Sequence, residues 1–216
     1  MSATDGIRQK IDVTFVKEGW ARFCSHHDIL RSFERAIRRS GLPVRWTAGF
    51  NPRPRLVFLT PTGVGVASRA EHVEIEFADP VGVGEAVERL GAQLMPGLRV
   101  LDGEALPKRR RGRKAVEMDY ALHDCGPRDG GAALEALASA PKLPIERRSD
   151  KGAKTVDIAP SLASFRRETD GTVRARVRVQ PKGTVRPDEL AKLAAERCGG
   201  DAAAVRVVKE SCAVGW

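Results

Sequence analysis

The most reactive side chains of this sequence lie together at Ser25-His26-His27-Asp28. A histidine can act as a general acid, a general base or a metal ligand near neutral pH. His26 is therefore a candidate catalytic base, with Asp28 or the more distant Glu71 as its carboxylate partner. Metal binding is disfavoured, because neighbouring helical residues point about 100° apart and the i, i+4 histidine spacing of a helical zinc site is missing. The structural alternative is a helix start, at which Asp28 interacts favourably with the helix dipole.

A second candidate is the stretch TAGFNPRPRLVF at residues 47–58, which is stiff and basic for a connecting loop. Each proline fixes its own φ and holds the residue before it extended, so Arg53 and Arg55 keep set directions. Asn51 can hydrogen-bond the local backbone or a ligand. The loop therefore predicts a preorganised anion site for RNA phosphate or for a phosphorylated ligand. A rigid structural turn capped by Asn51 and a protein-docking surface are the alternatives.

The helix that leads into this loop is also basic. Residues 25–40 carry apolar residues at a period of 3.6, and their first turn predicts a capping box. Its arginines are Arg31, Arg35, Arg38 and Arg39. From residue 31 to residue 55 there are seven arginines against one acid, Glu34. The helix and the loop are therefore expected to form one anion-binding site, with His26 near its rim.

A third basic feature is the strand VRARVRV at residues 173–179. Its valines and its alanine alternate with Arg174, Arg176 and Arg178, so the arginines are expected to share the outer face. Three arginines without an intervening acid predict a phosphate-binding row. The alternative is the ordinary charged face of a half-buried strand.

Hydrophobic periodicity predicts the order βαββαβ twice. The first set of elements covers residues 7–16, 25–40, 55–59, 72–77, 80–94 and 98–106. The second set covers residues 116–122, 130–140, 161–168, 172–179, 186–199 and 203–210. Residues 141–160 fit neither set well and leave room for an extra short strand. The prediction is an α+β protein of two tandem ferredoxin-like sandwiches, whose helices cover one face of each sheet and leave the other face available.

The net charge of +9 is concentrated between the two halves. Residues 1–107 carry net +1, and residues 115–216 carry net +2. The segment KRRRGRK at 108–114 carries six positive charges and no negative one. We therefore expect a first domain at 1–107, a basic linker at 108–115 and a second domain at 116–216. The linker is either solvated or in contact with phosphates, because such runs gain affinity by releasing counterions.

Composition argues against several classes of protein. The cysteines Cys24, Cys125, Cys198 and Cys212 are too scattered for a zinc ribbon or a local iron–sulfur motif, so no metal or cofactor is expected. No apolar run approaches the roughly 18 residues of a membrane helix, and the first ten residues lack a secretory signal, so no membrane contact and a cytoplasmic location are expected. Aromatic residues are too few for extended base stacking or for an RNA-recognition motif.

A longer pattern links the helix and the loop. The stretches SHHDILRSFERAIRRSGLP (25–43) and GFNPRP (49–54), within a match of about 7–79, resemble the bacterial radical-SAM-linked family, a domain of unknown function. The second half matches weakly, mainly through KGTVRPDEL (182–190). Thr47 stands where that family usually has serine, and Thr62 where it usually has leucine.

The resemblance implies a protein encoded with, or fused to, a radical SAM enzyme and acting near RNA or ribosome-related processing. It implies no known reaction or catalytic residue. The chain has no CxxxCxxC, so radical chemistry would belong to a separate protein. The leading hypothesis is a non-catalytic RNA-binding accessory module that serves a radical SAM protein. The alternatives are an RNA-processing or RNA-modifying enzyme that uses His26 with a nearby carboxylate, and a protein-interaction adaptor.

Overall fold

The structure is a computed structural model that describes residues 9–107, 112–149 and 152–216. The alternating apolar residues near the start of the chain form its first strand. One compact unit comprises Met1–Lys114 with Gly215–Trp216, and a second comprises Ala115–Val214. The first unit contains β1 (Gln9–Lys17), a 3-10 helix (Gly19–Phe23), α1 (His26–Ser40), β2 (Leu56–Leu59), β3 (Ala67–Phe77), α2 (Val83–Gly91) and β4 (Leu98–Leu106). Its strands lie in the order β4-β1-β3-β2, and each neighbouring pair is antiparallel.

An aromatic cluster joins α1 to this sheet. The Phe33 ring of α1 lies 4.8 Å from the Phe15 ring of β1 and 5.3 Å from the Phe58 ring of β2. Phe33 and Phe15 are fully buried, and burial stabilises each such side chain by about 1.5–3 kcal/mol. This packing fixes the rotation of α1, so its polar face is held outward. Gly41 ends the helix in the left-handed conformation, at a φ of 62°.

The second unit repeats the order of the main elements but adds a hairpin. Its elements are β5 (Lys114–His123), α3 (Gly131–Ala138), β6 (Pro144–Ser149), β7 (Gly152–Asp157), a 3-10 helix (Ala159–Ser161), β8 (Leu162–Arg167), β9 (Val173–Arg178), α4 (Pro187–Cys198) and β10 (Arg206–Gly215). Its main strands lie in the order β10-β5-β9-β8, while β6 and β7 form a separate two-stranded sheet. The α+β class is confirmed, with four α-helices in the described ranges, and the stretch 141–160 holds two strands rather than one.

The prediction that the second face of each sheet is available is wrong for the first unit. On that face of β1 and β3, Lys10, Asp12 and Glu74 are all buried. They are charged but paired: Lys10 Nζ lies 3.1 Å from Glu74 Oε2, and Arg113 Nη1 lies 2.9 Å from Asp12 Oδ2. Pairing offsets the cost of removing charged groups from water, so a polar face can be buried without being apolar.

The basic linker predicted at 108–115 is described only in part, because residues 108–111 lie outside the described ranges. The strand β5 begins at Lys114, and the Arg113 side chain is largely buried against Asp12. The end of the predicted linker is therefore structured, while the domain limits of 1–107 and 116–216 stay predictions. Among the described residues, no helix is both long and apolar enough to cross a membrane.

Candidate functional site

The start of α1 is fixed by the predicted capping box, which is confirmed. The Ser25 hydroxyl accepts a hydrogen bond from Asp28 N at 3.3 Å. In return, Asp28 Oδ2 accepts from Ser25 Oγ at 2.7 Å and from Ser25 N at 3.0 Å. These hydrogen bonds, the side-chain one first, lower the pKa of Asp28. The Asp28 carboxylate therefore caps the helix, and its charged form is favoured at the helix N-terminus.

The candidate base His26 is not joined to either candidate carboxylate. Its ring packs edge-on against Phe58, with the ring centroids 5.3 Å apart. Glu71 is buried, and its Oε2 accepts a hydrogen bond from Thr62 N at 3.3 Å. In the described part of the chain, His26 makes no hydrogen bond or ion pair with Asp28 or Glu71. His26 is thus an exposed side chain whose ring contacts the outer end of the aromatic cluster.

The arginines of α1 lie on its exposed face, but they are not equivalent. Arg39 donates from Nε to Gln93 Oε1 at 3.1 Å and from Nη2 to the Gln93 carbonyl, so it holds the segment after α2. The Arg38 guanidinium lies 5.2 Å from the centroid of the Trp46 ring, a cation–π contact. Arg31 and Arg35 form no ion pair or hydrogen bond within the described ranges. We call Arg31, Arg35 and Arg38 the helix set.

The stiff loop of the sequence is a short two-stranded ribbon. Thr47 N donates to Arg53 O at 2.8 Å, and Arg53 N donates back to the Thr47 hydroxyl at 2.9 Å. Trp46 pairs with Pro54 as an antiparallel bridge, and Arg55 N donates to Arg45 O at 2.8 Å. We call residues 44–47 and 53–55 the ribbon. Serine and threonine both carry the hydroxyl used at position 47, so the departure from the family pattern preserves this contact.

The ribbon separates its side chains onto two faces. Pro54 is buried, whereas Arg53 and Arg55 are exposed and form no ion pair with any described residue. Because successive side chains of a strand point to opposite faces, Arg53 and Arg55 share the face opposite Pro54. We call these two arginines the ribbon set. Asn51 lies at the exposed tip and makes no side-chain hydrogen bond within the described residues, so Thr47 braces the turn instead.

The helix set and the ribbon set are close but do not converge on one point. Arg38 contacts Trp46, and a bridge joins Trp46 to Pro54 between the two ribbon arginines. A bridged pair shares one face of the ribbon, so Arg38 of the helix set approaches the face opposite the ribbon set. We call the five residues of both sets the arginine surface. It suits an extended anion better than one small phosphorylated molecule, which could not touch both faces at once.

The predicted arginine row of the second unit is exposed on β9, and its valines and alanine are buried as expected. However, Arg176 Nε lies 2.8 Å from Asp119 Oδ1 on the neighbouring β5, and Glu117 is 3.5 Å away. The hydrogen bond from Arg176 lowers the pKa of Asp119. The acid missing from β9 is thus supplied by the next strand, which leaves Arg174 and Arg178 outside ion pairs with described residues.

One histidine–carboxylate pair was missed by the sequence analysis. His72 Nδ1 lies 2.9 Å from Asp12 Oδ2, which Arg113 also contacts. The pairing of Thr14 with His72 across β1 and β3 brings the two together, and only the strand register reveals it. The side chains of His72, Asp12 and Arg113 are all largely buried, which leaves little room for a substrate. In the described ranges, no group of three or more His, Cys, Asp or Glu side chains could hold a metal ion.

One family model matches most of the chain. A family model described as "Uncharacterized protein conserved in bacteria (DUF2344)" matches residues 10–187. This range runs from the second residue of β1 to the first residue of α4, and it includes the whole arginine surface. No curated protein is similar enough to match.

Proposed function

We propose that this chain, which belongs to the bacterial family of uncharacterized proteins DUF2344, is a non-catalytic module that binds RNA through its arginine surface. The observation that carries the proposal is the arrangement of Arg31, Arg35, Arg53 and Arg55. All four are exposed, and no described carboxylate is in ion-pair contact with any of them. Guanidinium groups that are not neutralised bind phosphates in fork geometry and release counterions from a polyanion.

The shape of the arginine surface favours an extended, flexible strand. Arg38 and the ribbon set lie on opposite sides of the two-stranded ribbon, so a ligand must bend around the ribbon to reach both. Phe50 is fully exposed at the tip of the ribbon, beside Asn51. A free aromatic ring next to a positive surface can stack on an unpaired base whatever its identity. Single-stranded RNA therefore fits better than a rigid duplex.

The non-catalytic part of the proposal rests on His26 and Asp28. Asp28 is engaged in the capping box, and His26 packs against Phe58. A general base needs hydrogen-bond reach to the proton that it removes and a group that orients it. Neither candidate carboxylate orients His26, so an enzyme centred on this residue has less support than a binding module.

The proposal includes a separate radical SAM enzyme as partner and a tandem ferredoxin-like architecture. The resemblance that implies the partner covers the segment carrying the arginine surface. The architecture is supported by the strand orders β4-β1-β3-β2 and β10-β5-β9-β8. Without the β6–β7 hairpin, each unit has four strands, and in both units the fourth lies beside the first, then the third, then the second. A sheet of this kind with both helices on one face is what a βαββαβ unit forms.

A second candidate function is that of a protein-interaction adaptor. Trp20 is 86% exposed, and its ring lies 6.0 Å from that of Phe23, which is also exposed. Large exposed aromatic side chains are typical of binding surfaces and are uncommon on inert ones. The two functions are compatible, since these residues are distinct from the arginine surface.

The experiment that tests RNA binding replaces both ribbon arginines, as Arg53→Ala with Arg55→Ala. The affinity for a single-stranded RNA should fall by about tenfold or more, because charge-assisted hydrogen bonds contribute about 1.5–3 kcal/mol each. The slope of log affinity against log salt should become shallower by roughly 0.7 for each lost phosphate contact. Fluorescence anisotropy at several salt concentrations measures both quantities.

The matched control is Arg99→Ala with Arg206→Ala, which removes the same charge from exposed positions already paired with Glu18 and Asp124. An equal loss in the control, or no loss in the ribbon variant, would contradict the proposal. His26→Ala should keep RNA affinity. If it instead abolished an RNA-cleaving or RNA-modifying activity while binding persisted, the enzyme alternative would replace the binding module.

A further inference from the structure

We propose that the second unit holds a separate phosphate-binding groove between the β6–β7 hairpin and the loop before α4. Its cationic lining consists of Arg147, Arg148, Lys154, Lys182 and Arg186. The cavity has a volume of about 680 Å³, which lies in the range of small-molecule binding sites. We call it the hairpin groove. It goes beyond the proposed function, because it shares no residue with the arginine surface.

The two walls of the hairpin groove lie close together at Gly183. This residue has a φ of 89°, in the left-handed region, and a Cβ there would meet the Asp157 carbonyl oxygen at 2.6 Å. Only glycine allows the loop to approach β7 so closely. On the loop itself, the Thr184 hydroxyl accepts from Gln180 N at 2.8 Å and donates to Gln180 O at 3.0 Å. The loop is therefore a built wall with a set position.

One cation of the groove is a fixed part of its floor. Arg147 donates to Glu189 Oε1 at 2.7 Å, to Glu189 Oε2 at 2.8 Å and to the Thr184 carbonyl at 2.6 Å. This fork ties β6 to α4 and to the loop at once. Arg147 is already neutralised, so it positions the groove, and the remaining cations are the ones available to a ligand.

Three of the other four cations have no ion-pair partner in the described ranges. Lys154, Lys182 and Arg186 make no ion pair with any described residue, and Arg148 reaches only the exposed Glu146. The single acid in the lining is Asp157, whose carboxylate accepts hydrogen bonds from Leu143 N at 2.8 Å and Ala159 N at 3.1 Å. Its charge is thus engaged with backbone amides, and the groove keeps an excess of positive charge.

The register of the hairpin adds an independent indication. Lys154 lies directly opposite Arg147 across β6 and β7. Residues directly opposite each other on paired strands share one face, so Lys154 lies on the same face of the hairpin as the Arg147 brace and borders the groove. Several cations along one groove match several anionic groups in a row. The ligand class is therefore a run of phosphates, either the phosphodiesters of an RNA strand or a free polyphosphate chain.

The test measures binding of inorganic tripolyphosphate to the full chain and to the variant Lys154→Gln with Lys182→Gln. We expect tripolyphosphate to raise the melting temperature of the unaltered chain, and the variant to bind it at least about tenfold more weakly. The matched control is Lys142→Gln with Lys192→Gln, which removes the same charge from exposed positions of the same unit outside the groove lining. Unchanged binding in the variant, or an equal loss in the control, would overturn the proposal.

A second variant reaches the groove without altering its charge. Gly183→Ala should displace the loop and weaken tripolyphosphate binding, whereas Gly84→Ala, at an open helical position, should not. If Gly183→Ala binds tripolyphosphate as the unaltered chain does, the groove is not the site.

Binding of single-stranded RNA to the same variant distinguishes an RNA backbone from a free polyphosphate chain. If Lys154→Gln with Lys182→Gln also lowers RNA affinity and the salt slope, the groove contacts the RNA backbone; an effect on tripolyphosphate alone identifies a free polyphosphate chain. Failure of the proposed RNA function is distinguishable. Loss of the ribbon arginines should leave tripolyphosphate binding intact, whether or not RNA binds.

Discussion

Replacing Glu189 with alanine should lower the free energy of unfolding by about 3 kcal/mol. The side chain is 6% exposed and holds the Arg147 guanidinium, which is 16% exposed, through two hydrogen bonds. It also accepts from Arg186 N at 2.8 Å at the start of α4. Removal of the carboxylate leaves a largely buried arginine without its counter-charge, which costs far more than loss of a surface ion pair. Urea unfolding at pH 7 measures the change.

The same pair should make stability depend on acid. Burial opposes the charged form of Glu189, but hydrogen bonds from Arg147 and the Arg186 amide outweigh it and lower the pKa of the carboxyl. A carboxyl whose pKa is lower in the folded state stabilises the protein fully above its unfolded pKa of about 4.3, and this contribution is lost as the pH falls through the folded pKa. The stability difference between the unaltered chain and Glu189→Ala should therefore shrink below about pH 4.

The control for this prediction is Glu146→Ala on the same hairpin. Glu146 pairs with Arg148 at 2.8 Å, but the two side chains are 54% and 84% exposed. Solvent screening limits such a pair to under about 1 kcal/mol. If Glu189→Ala costs no more than Glu146→Ala, then Arg147 and Glu189 do not form a buried brace, and the floor of the hairpin groove is not held as described.

Local sequence patterns predicted the helices and strands that bury one face of apolar residues. The helix α1 carries a 3.6-residue period between a capping box and Gly41, and the structure has it at His26–Ser40. The strand β9 alternates buried and exposed residues, and it too was placed within one residue. The β6–β7 hairpin was not predicted as two strands, because both strands are mostly exposed and their few apolar residues, such as Ile145 and Val156, show no alternation. A strand without a buried face has no period for a sequence to reveal.

The candidate sites show a second limit of sequence-based prediction, because ion pairs between residues distant in sequence cannot be seen in local patterns. The sequence indicated that Arg176 faces solvent, yet Asp119, 57 positions earlier, neutralises it across the strand pair. The exposed arginines of α1 and the ribbon were predictable because their own periodicity and prolines place them. Which of them stay free of acids depends on register, and register is set by the packing of whole sheets. The hairpin groove was missed for the same reason, since its two walls are separated in sequence.

The Lys10–Glu74 pair provides the sharpest test of the buried polar face. The two side chains are 6% and 8% exposed, and 3.1 Å separates Lys10 Nζ from Glu74 Oε2. Glu74→Ala should cost about 3–5 kcal/mol, because it leaves an ammonium group buried without a partner. Had this face of β1 and β3 been open to solvent, as the alternating sequence suggested, the same substitution would cost under about 1 kcal/mol.

A double replacement separates the value of the pair from the penalty of breaking it. Lys10→Met with Glu74→Leu removes both charges and keeps the volume, so it should unfold within about 1 kcal/mol of the unaltered chain or at higher urea. The exposed pair of Glu18 and Arg99, 3.9 Å apart in the same unit, is the control, and Glu18→Ala should change little. A double variant as unstable as Glu74→Ala would show that the loss comes from packing rather than from an orphaned charge. In that case, side-chain packing rather than charge pairing would stabilise the buried polar face.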